Sequence, residues 1–203
     1  MPAGHRSGDR VSELLFDQPS HTYTLDGVVI PSVSQVITAG DTTNYPPNGA
    51  AERGTRVHRV LELLDKGELS QDYIAAIKGR EIEGYIDTYQ AWRLKLDIVA
   101  NEEMYHGQLD GLAFAGTIDR VLRIGDYLAV VDIKTGRQYP KPHAMQVWAY
   151  GALYTQATGR EIEHHGCVYL DGRTAKLRMY GEPEALDLFR RKLAAYYGRK
   201  NAA

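Results

Sequence analysis

Two aspartates and a lysine stand inside two short, mainly apolar runs in the middle of the chain. The first run, "GTIDRVLRI", carries Asp119, and the second, "YLAVVDIKTG", carries Asp132 and Lys134. A buried charge without a partner is costly, so these carboxylates need a neutralising group. A divalent ion such as Mg²⁺ or Mn²⁺ could bind both, because hard cations prefer carboxylate, carbonyl and water oxygens. The alternative is a plain ion pair of Lys134 with one acidic neighbour, while the other aspartate lies at a solvated sheet edge.

The residues between the two runs predict how close the aspartates come. Gly125-Asp126 is a candidate type II′ turn, because glycine stands at its first central position. Counting outward from this turn, one pair at a time, makes Asp119 the cross-strand partner of Asp132. Directly opposed residues share one face of a sheet, with Cβ atoms about 4.5–5.5 Å apart, and Lys134 points to the same face. A bulge or a longer turn would shift this register.

Strand and helix patterns surround the two runs. Alternation predicts strands over "DIVANEEMYH", "AFAGTIDRVLRI", "YLAVVDIKTG", "HHGCVYLDG" and "TAKLRMY". Helical spacing predicts helices over "AAERGTRVHRVLELLDKG", "QDYIAAIKGREIEGYIDTYQAWRLKL", "HAMQVWAYGALYTQATG" and "PEALDLFRRKLAAYYGRK". The second helix buries Ile74 among other positions, and Gly79 and Gly84 weaken or bend it. A hairpin at Asp26-Gly27 and a short helix near Val33 come first. The order predicts an α/β fold with a mixed β-sheet flanked by α-helices.

Length and composition are those of an ordinary globular domain. We expect one domain over residues 1–203, with a flexible N-terminus over about residues 1–12. The net charge of -2 argues against a protein that coats DNA by electrostatics alone, although a local basic cluster can still bind phosphates. The single cysteine, Cys167, excludes an internal disulfide framework and a cysteine-ligated iron–sulfur cluster within one chain. With no bilayer-length apolar run and no secretory signal at the polar start, we expect a cytoplasmic protein without a membrane partner.

Four motifs in chain order resemble the PD-(D/E)XK nuclease superfamily. They are "GTRVH" (Gly54–His58), "GTIDRV", "VVDIKTG" and "QVWAY" (Gln146–Tyr150). The histidine on a helix and the Q-x-x-x-Y pattern resemble the RecB-like exonuclease branch, and "YTLDGVVIPSVSQVI" resembles the start of its small phage-type members. The resemblance implies a restriction-endonuclease-like core. The iron–sulfur members of this branch need a cysteine set that is absent here, so we expect no cluster.

The resemblance also implies the ligands of a metal ion. Asp119 and Asp132 would bind Mg²⁺ or Mn²⁺, the backbone carbonyl of Ile133 would be a further ligand, and His58 would complete the protein side of the site. A lone histidine on an amphipathic helix is usually a surface or boundary residue, so only the motif favours metal binding by His58.

The catalytic residues implied by the resemblance are Asp119, Asp132, Lys134 and Glu102. Lys134 would orient a water or stabilise the charge that develops on the scissile phosphate. Glu102 and Glu103 both match the acidic residue of the preceding strand, and alternation allows only one of them to face the site. We favour Glu102, with solvation of an edge strand as the alternative for either residue.

Substrate-binding residues are expected on two helices. Gln146 and Tyr150 lie one helical turn apart on a single face, so both can reach the same place; the alternative for Tyr150 is core packing. Thr55 and Arg56 belong to the "GTRVH" motif. Several basic residues near the expected site could contact phosphates, namely Arg53, Arg56, Arg59, Arg120, Arg137 and Lys141.

The leading hypothesis is a metal-dependent DNA nuclease, an exonuclease that hydrolyses phosphodiester bonds from DNA ends in recombination, repair or phage DNA processing. Its partners would be single-stranded DNA or the ends of double-stranded DNA, and a recombination or replication protein, in a bacterial or phage-infected cell. The main alternative is a catalytically silent, nuclease-like DNA-binding module of a larger complex. A hydrolase of other phosphate esters is a third reading. The sequence does not distinguish exonuclease from endonuclease, or Mg²⁺ from Mn²⁺.

Overall fold

A small antiparallel sheet opens the part of the chain that our computed structural model describes, which is residues 12–40, 49–94 and 96–201. Its strands are β1 (Leu14–Asp17), β2 (Thr22–Leu25) and β3 (Val28–Ile30), followed by helix α1 (Val33–Thr38). Asp26 and Gly27 join β2 to β3 with φ values of 49° and 81°, as a type I′ turn requires. The predicted hairpin and short helix are therefore confirmed, whereas β1 was not expected. The N-terminus expected to be flexible lies outside the described residues, apart from Ser12.

The larger sheet has five strands in the order β4-β5-β6-β7-β8. Their bounds are β4 (Asp97–Leu109), β5 (Leu112–Ile124), β6 (Tyr127–Lys134), β7 (His164–Leu170) and β8 (Ala175–Met179). Strands β6 and β7 are parallel, and the other neighbours are antiparallel. Parallel neighbours need a long crossover connection, which the later helix α5 (Pro140–Thr158) supplies. The predicted mixed sheet is confirmed.

Helices cover both faces of the larger sheet. On one face lie α2 (Ala50–Lys66), α3 (Gln71–Ile77) and α4 (Glu83–Arg93), which pack against β6 and β7. On the other face lie α1, α5 and α6 (Glu184–Asn201). The predicted α/β class with flanking helices is confirmed by this layered arrangement. None of the helices in the described ranges has the length and apolarity needed to cross a membrane.

The single helix predicted from Gln71 onward is two helices. Gly79, at φ +71°, lies between α3 and α4, and this left-handed conformation cannot continue an α-helix. Ile74 was expected in the core but is 38% exposed. The expectation for Ile74 is wrong because the helical periodicity does not continue across Gly79, so the buried face of α4 does not extend to α3.

The turn between β5 and β6 has the predicted chemistry and register. Gly125 has φ +61°, and Asp126 is not among the described residues with positive φ, as a type II′ turn requires. The strands pair from Ile124 with Tyr127 to Arg120 with Val131, as counted from the sequence. The observed ladder ends there, one step before Asp119 and Asp132.

Candidate active site

Three side chains from separate elements meet where the pairing of β5 with β6 ends. His58 comes from α2, Glu102 from β4 and Asp119 from β5, and one ligand atom of each lies within 4.8 Å of the others. His58 Nδ1 is 3.5 Å from both Glu102 Oε1 and Asp119 Oδ2. Helix α2 orients the imidazole, because the neighbouring Val57 and Val60 are fully buried against the sheet. We call these three residues the His58 triad.

An irregularity in β4 turns Glu102 toward the triad. Glu102 has φ +52°, a conformation that is uncommon outside glycine and often marks functional sites. The regular pairing of β4 with β5 resumes at Glu103, opposite Ile118. Glu103 is exposed and accepts a hydrogen bond of 2.6 Å from the hydroxyl of Tyr105. Of the two glutamates considered, Glu102 therefore lies beside His58 and Asp119, and Glu103 does not.

The side chain of Asp119 takes the place of a backbone carbonyl at the end of the β5–β6 ladder. Its buried Oδ2 accepts a hydrogen bond of 2.6 Å from the backbone N–H of Ile133, which a backbone carbonyl would otherwise take. The count from the turn is confirmed up to Arg120, and the cross-strand pairing expected for Asp119 and Asp132, one step further, stays a prediction. The carbonyl of Ile133 accepts a hydrogen bond of 3.0 Å from His58 Nε2, so Ile133 lies beside the triad.

Asp132 and Lys134 form a second group next to the triad. Asp132 is 2% exposed, and its Oδ2 lies 2.6 Å from Lys134 Nζ and accepts a longer contact of 3.9 Å from the thiol of Cys167. Lys134 Nζ also donates to Gln146 Oε1 at 2.8 Å. Asp132 therefore binds the lysine and is not a member of the His58 triad.

Gln146 and Tyr150 extend this group along α5. Gln146 Nε2 donates a hydrogen bond of 3.0 Å to the Tyr150 hydroxyl, so Lys134, Gln146 and Tyr150 form a continuous polar chain. Tyr150 is also part of the core under α5. Its ring lies against Gly116, where an added Cβ would come within 2.6 Å of Tyr150 Cε1. The Tyr150 ring therefore packs in the core, while its hydroxyl belongs to the polar chain that begins at Lys134.

Thr55 and Arg56 lie on the surface of α2, and their role in substrate binding stays a prediction. Both are exposed, and the Thr55 hydroxyl donates to the carbonyl of Ala51 in its own helix at 3.1 Å. Arg120, which we expected to contact phosphates, is fully buried and lies 2.7 Å from Asp65 Oδ2 and 3.3 Å from Glu102 Oε1. The expectation for Arg120 is therefore wrong, because no phosphate can reach a guanidinium with 0% exposure.

Sequence reasoning missed the ionic cluster behind the triad. Asp65 on α2 pairs with Arg93 and Arg120 and accepts a hydrogen bond of 2.6 Å from Tyr89. We call these four residues the Asp65 cluster. A signal for it exists in the sequence, since Asp65 stands two helical turns after His58 and so on the same face of α2.

Mutual electrostatics set the protonation of the site. Burial raises the pKa of Asp119 and of Asp132, against the opposing effects of His58 and Lys134. Burial by itself lowers the pKa of His58, but Asp119, Glu102 and Asp132 outweigh it and raise the pKa to about 9. Burial likewise lowers the pKa of Lys134, and Asp132 and Asp119 reverse this so that the net change is upward. An imidazolium and an ammonium therefore offset part of the charge of the three carboxylates, Glu102, Asp119 and Asp132.

The donor atoms of the site fit a hard divalent cation. The triad offers two carboxylates and an imidazole. Mg²⁺ and Mn²⁺ prefer oxygen ligands, and imidazole is a common further ligand for transition metals. His58, Glu102 and Asp119 are therefore the residues placed to hold such an ion. The Ile133 carbonyl is bonded to His58 Nε2, on the other side of the ring from Nδ1, which faces the two carboxylates.

Comparison with known proteins identifies the sequence family. The family model of the PD-(D/E)XK nuclease superfamily matches residues 36–199. Among solved structures, a proposed exonuclease from Eubacterium rectale superposes with a TM-score of 0.58 at 12% identity, over 85% of this chain and 82% of that one. An alkaline exonuclease from Laribacter hongkongensis gives a TM-score of 0.48 at 13% identity, over 85% and 88% of the two chains. At these identities the structural likeness concerns the fold alone. No curated protein matches the sequence.

Proposed function

Because this chain belongs to the PD-(D/E)XK nuclease superfamily, we propose that it is a metal-dependent deoxyribonuclease that removes nucleotides from DNA ends. One observation carries this proposal. The His58 triad, with ligand atoms within 4.8 Å of one another, lies beside the Asp132–Lys134 pair. A cation site next to a fixed ammonium is what hydrolysis of a phosphodiester requires, because the negative charge on the phosphate grows during attack.

The triad holds the cation in this proposal. A bound Mg²⁺ or Mn²⁺ would lower the pKa of a water and stabilise the charge of the scissile phosphate. The chain itself positions the donors: Glu102 is held by Arg120 at 3.3 Å, and Asp119 by the Ile133 N–H at 2.6 Å. Hydrogen bonds and ion pairs of this kind hold the ligand carboxylates in the orientation that metal binding and catalysis need.

Lys134 acts as a fixed cation. Its ammonium lies between Asp132 at 2.6 Å and Gln146 at 2.8 Å, so it stays in one place without a bound substrate. A charged lysine in this place stabilises the developing negative charge on the phosphate or orients the attacking water. Asp132 holds the lysine and contributes negative potential beside the triad.

The finer assignment to a RecB-like exonuclease is supported by α5. Gln146 joins Lys134 to Tyr150 through hydrogen bonds of 2.8 and 3.0 Å, so the Q-x-x-x-Y pattern faces the site rather than solvent. We place the enzyme in recombination, repair or phage DNA processing in the cytoplasm, with single-stranded DNA or duplex ends as substrate. Iron–sulfur chemistry is not part of this proposal, since Cys167 is the single cysteine.

A gel assay with labelled DNA tests the proposal. Linear, end-blocked and circular DNA are incubated with the purified protein in Mg²⁺, Mn²⁺ or EDTA. We expect cleavage of linear DNA with either metal, little cleavage of circular or end-blocked DNA, and none in EDTA. Circular DNA cut as readily as linear DNA would contradict the end-dependent part of the proposal.

Two pairs of variants identify the source of the cleavage. Asp119→Asn and Lys134→Met change the site, while Asp97→Asn and Lys176→Met make the same changes at exposed positions of β4 and β8. We expect at least about 100-fold slower cleavage for the site variants and wild-type rates for the controls. Equal cleavage by all samples would indicate a contaminating nuclease, and absence of cleavage with intact Mn²⁺ binding would favour the silent binding module.

A further inference from the structure

A pocket of about 260 Å³ opens beside the His58 triad. It lies between the small N-terminal sheet and the larger sheet, and Glu102 of the triad forms part of its wall. Tyr150, the end of the polar chain from Lys134, forms another part. The pocket is therefore continuous with the candidate active site. We call it the Phe16 pocket, and its other principal lining residues are Phe16, His21, Tyr23, Ser34 and Thr117.

One wall of the Phe16 pocket is a cluster of aromatic rings. The Phe16 ring lies 4.6 Å from Tyr23 and 5.5 Å from His21 between ring centroids. Tyr23 is only 4% exposed, so it supports Phe16 from behind rather than contacting a ligand. Phe16 is half-buried and His21 is exposed, and these two rings remain available for a flat ligand.

The aromatic wall is anchored to the catalytic strand. The Tyr23 hydroxyl shares a hydrogen bond of 2.7 Å with Thr117 Oγ1 on β5, and Thr117 stands two residues before Asp119. His21 has φ 53°, a conformation that few non-glycine residues adopt, and this turn places its ring beside Phe16. The small sheet thus holds its aromatic side chains at a fixed position relative to the triad.

Another part of the pocket wall is formed by Gly116 and by the Tyr150 ring that packs closely against it. Gly116 lines the pocket, and a Cβ at this position would come within 2.6 Å of the Tyr150 ring. The rim carries the exposed Ser34, whose hydroxyl is 3.0 Å from that of Ser32. A pocket that combines accessible aromatic rings with hydroxyl groups suits a heteroaromatic ring, because aromatic platforms stack on any base.

We propose that the Phe16 pocket holds the nucleobase of the nucleotide next to the scissile phosphate. This inference rests on the proposed nuclease function, because the triad then fixes where the phosphate lies. Stacking on Phe16 and His21 does not depend on base identity, so the pocket positions a strand without selecting a sequence. The N-terminal sheet is then a substrate-positioning element of the enzyme.

Fluorescence quenching tests the pocket separately from cleavage. Single strands carrying the fluorescent base 2-aminopurine at one of several positions near the end are titrated with wild-type protein in EDTA, which prevents cleavage. We expect quenching at one position, since stacking on an aromatic ring quenches this base. Phe16→Leu keeps the apolar bulk but removes the aromatic face, so quenching at that position should disappear and binding should weaken about 5- to 150-fold.

A matched control and a second substrate complete the experiment. Tyr127→Leu removes an aromatic ring that is 55% exposed at the β5–β6 turn, and it should leave the quenching unchanged. With Mn²⁺ present, an abasic residue at the quenched position should slow wild-type cleavage through a higher KM, and Phe16→Leu should cut the intact and abasic strands equally.

The outcomes separate this inference from the proposed function. If wild-type protein cuts DNA but no position is quenched, or if Phe16→Leu quenches like wild type, the pocket assignment is wrong and the nuclease proposal stands. If quenching occurs and depends on Phe16 while no DNA is cut, the pocket binds a base and the nuclease proposal fails. Absence of both quenching and cleavage overturns both.

Discussion

The molecule contains two buried ionic groups that meet at neighbouring residues of one strand. Asp119 belongs to the His58 triad and Arg120 to the Asp65 cluster, and Arg120 also reaches Glu102 at 3.3 Å. In the Asp65 cluster one carboxylate faces two guanidiniums and a tyrosine hydroxyl. Around the triad the balance is reversed, since Glu102, Asp119 and Asp132 face an imidazole and an ammonium.

The two groups also differ in their exposure. In the Asp65 cluster the central pair of Asp65 and Arg120 is closed, with side chains 1% and 0% exposed, and only Arg93 reaches solvent, at 29%. At the site Asp119 and Asp132 are 9% and 2% exposed, whereas three members reach solvent, namely His58, Glu102 and Lys134 at 27%, 17% and 22%. In a closed group with paired charges, removal of one partner leaves the other charge buried and uncompensated, which destabilises the fold. A carboxylate-rich group open on one side can accept a cation and a substrate. Burial of charge alone therefore does not mark a functional site, whereas an excess of one charge beside an opening does.

The same substitution in both groups provides the strongest test of this difference. We expect Asp65→Asn to lower the free energy of unfolding by about 3–5 kcal/mol, because the buried guanidinium of Arg120 loses the nearer of its two carboxylate partners and keeps only Glu102 at 3.3 Å. Asp119→Asn should leave the free energy of unfolding in EDTA unchanged or raise it. Burial raises the pKa of Asp119, so its ionised form is less favourable in the folded state than in the unfolded chain at neutral pH.

Urea unfolding followed by circular dichroism measures both variants under the same conditions. The DNA cleavage rate is measured as well. Asp119→Asn should lose activity, and the folded fraction of Asp65→Asn should retain more activity than Asp119→Asn. An equal loss of stability in the two variants would remove the distinction between the groups.

Metal addition should stabilise the protein through the triad alone. At 100 times its dissociation constant, Mn²⁺ should add about 2.7 kcal/mol to the free energy of unfolding, which corresponds to a rise in Tm of roughly 5–10 °C for a chain of this size. Asp97→Asn should show the same rise, and EDTA should reverse it. A full rise in Asp119→Asn, measured by thermal unfolding, would show that the ion binds elsewhere.

The pH dependence of stability without metal should report on His58. Its pKa is raised from 6.5 to about 9 in the folded protein, so between these values the folded state holds a proton that the unfolded chain has lost. The contribution of His58 is complete below pH 6.5 and disappears as the pH rises through 9. We expect a loss of about 1 kcal/mol per pH unit over this interval in EDTA.

His58→Gln is the matched variant for this measurement, since it keeps a hydrogen-bonding side chain but does not titrate. The free energy of unfolding of the variant should be nearly flat over the same interval in urea experiments. A slope that persists in His58→Gln would assign the titration to another group.

The smallest effect is expected for a solvent-exposed pair on the same sheet. Asp97 and Arg123 lie 3.0 Å apart with side chains 61% and 46% exposed. Asp97→Asn should change the free energy of unfolding by at most about 1 kcal/mol, because exposed ion pairs are screened by water, and should leave cleavage unchanged. A larger loss in urea unfolding would mean that exposure does not rank the ionic groups of this protein.

The sequence predicts features that depend on neighbouring residues. The type II′ turn and the pairing from Ile124–Tyr127 to Arg120–Val131 agree with the structure, because glycine at one turn position sets the register of both strands. The motifs around His58, Asp119 and Lys134 are likewise visible in the chain and indicate the superfamily that the family model matches.

Other features depend on contacts that no local pattern contains. The left-handed φ of Glu102 falls on a residue type that rarely adopts it, so the sequence gives no signal at that position. The Asp119 carboxylate ends the ladder by taking the Ile133 N–H, which a count of strand pairs cannot predict. Arg120 resembles a surface cation in the sequence, and only the burial of Asp65 behind it explains its position.

The sequence by itself determined the order of the elements from β4 to α6, the hairpin register and the residue types able to bind a cation. Those properties follow from side-chain periodicity and turn chemistry, which act over a few residues. The tertiary structure decided which carboxylate joins His58 and which holds Lys134, and it placed the Phe16 pocket beside them. His58 and Ile133 are 75 positions apart in the chain and 3.0 Å apart in the fold. Such contacts come from the packing of helices on a sheet, so they can be determined only in three dimensions.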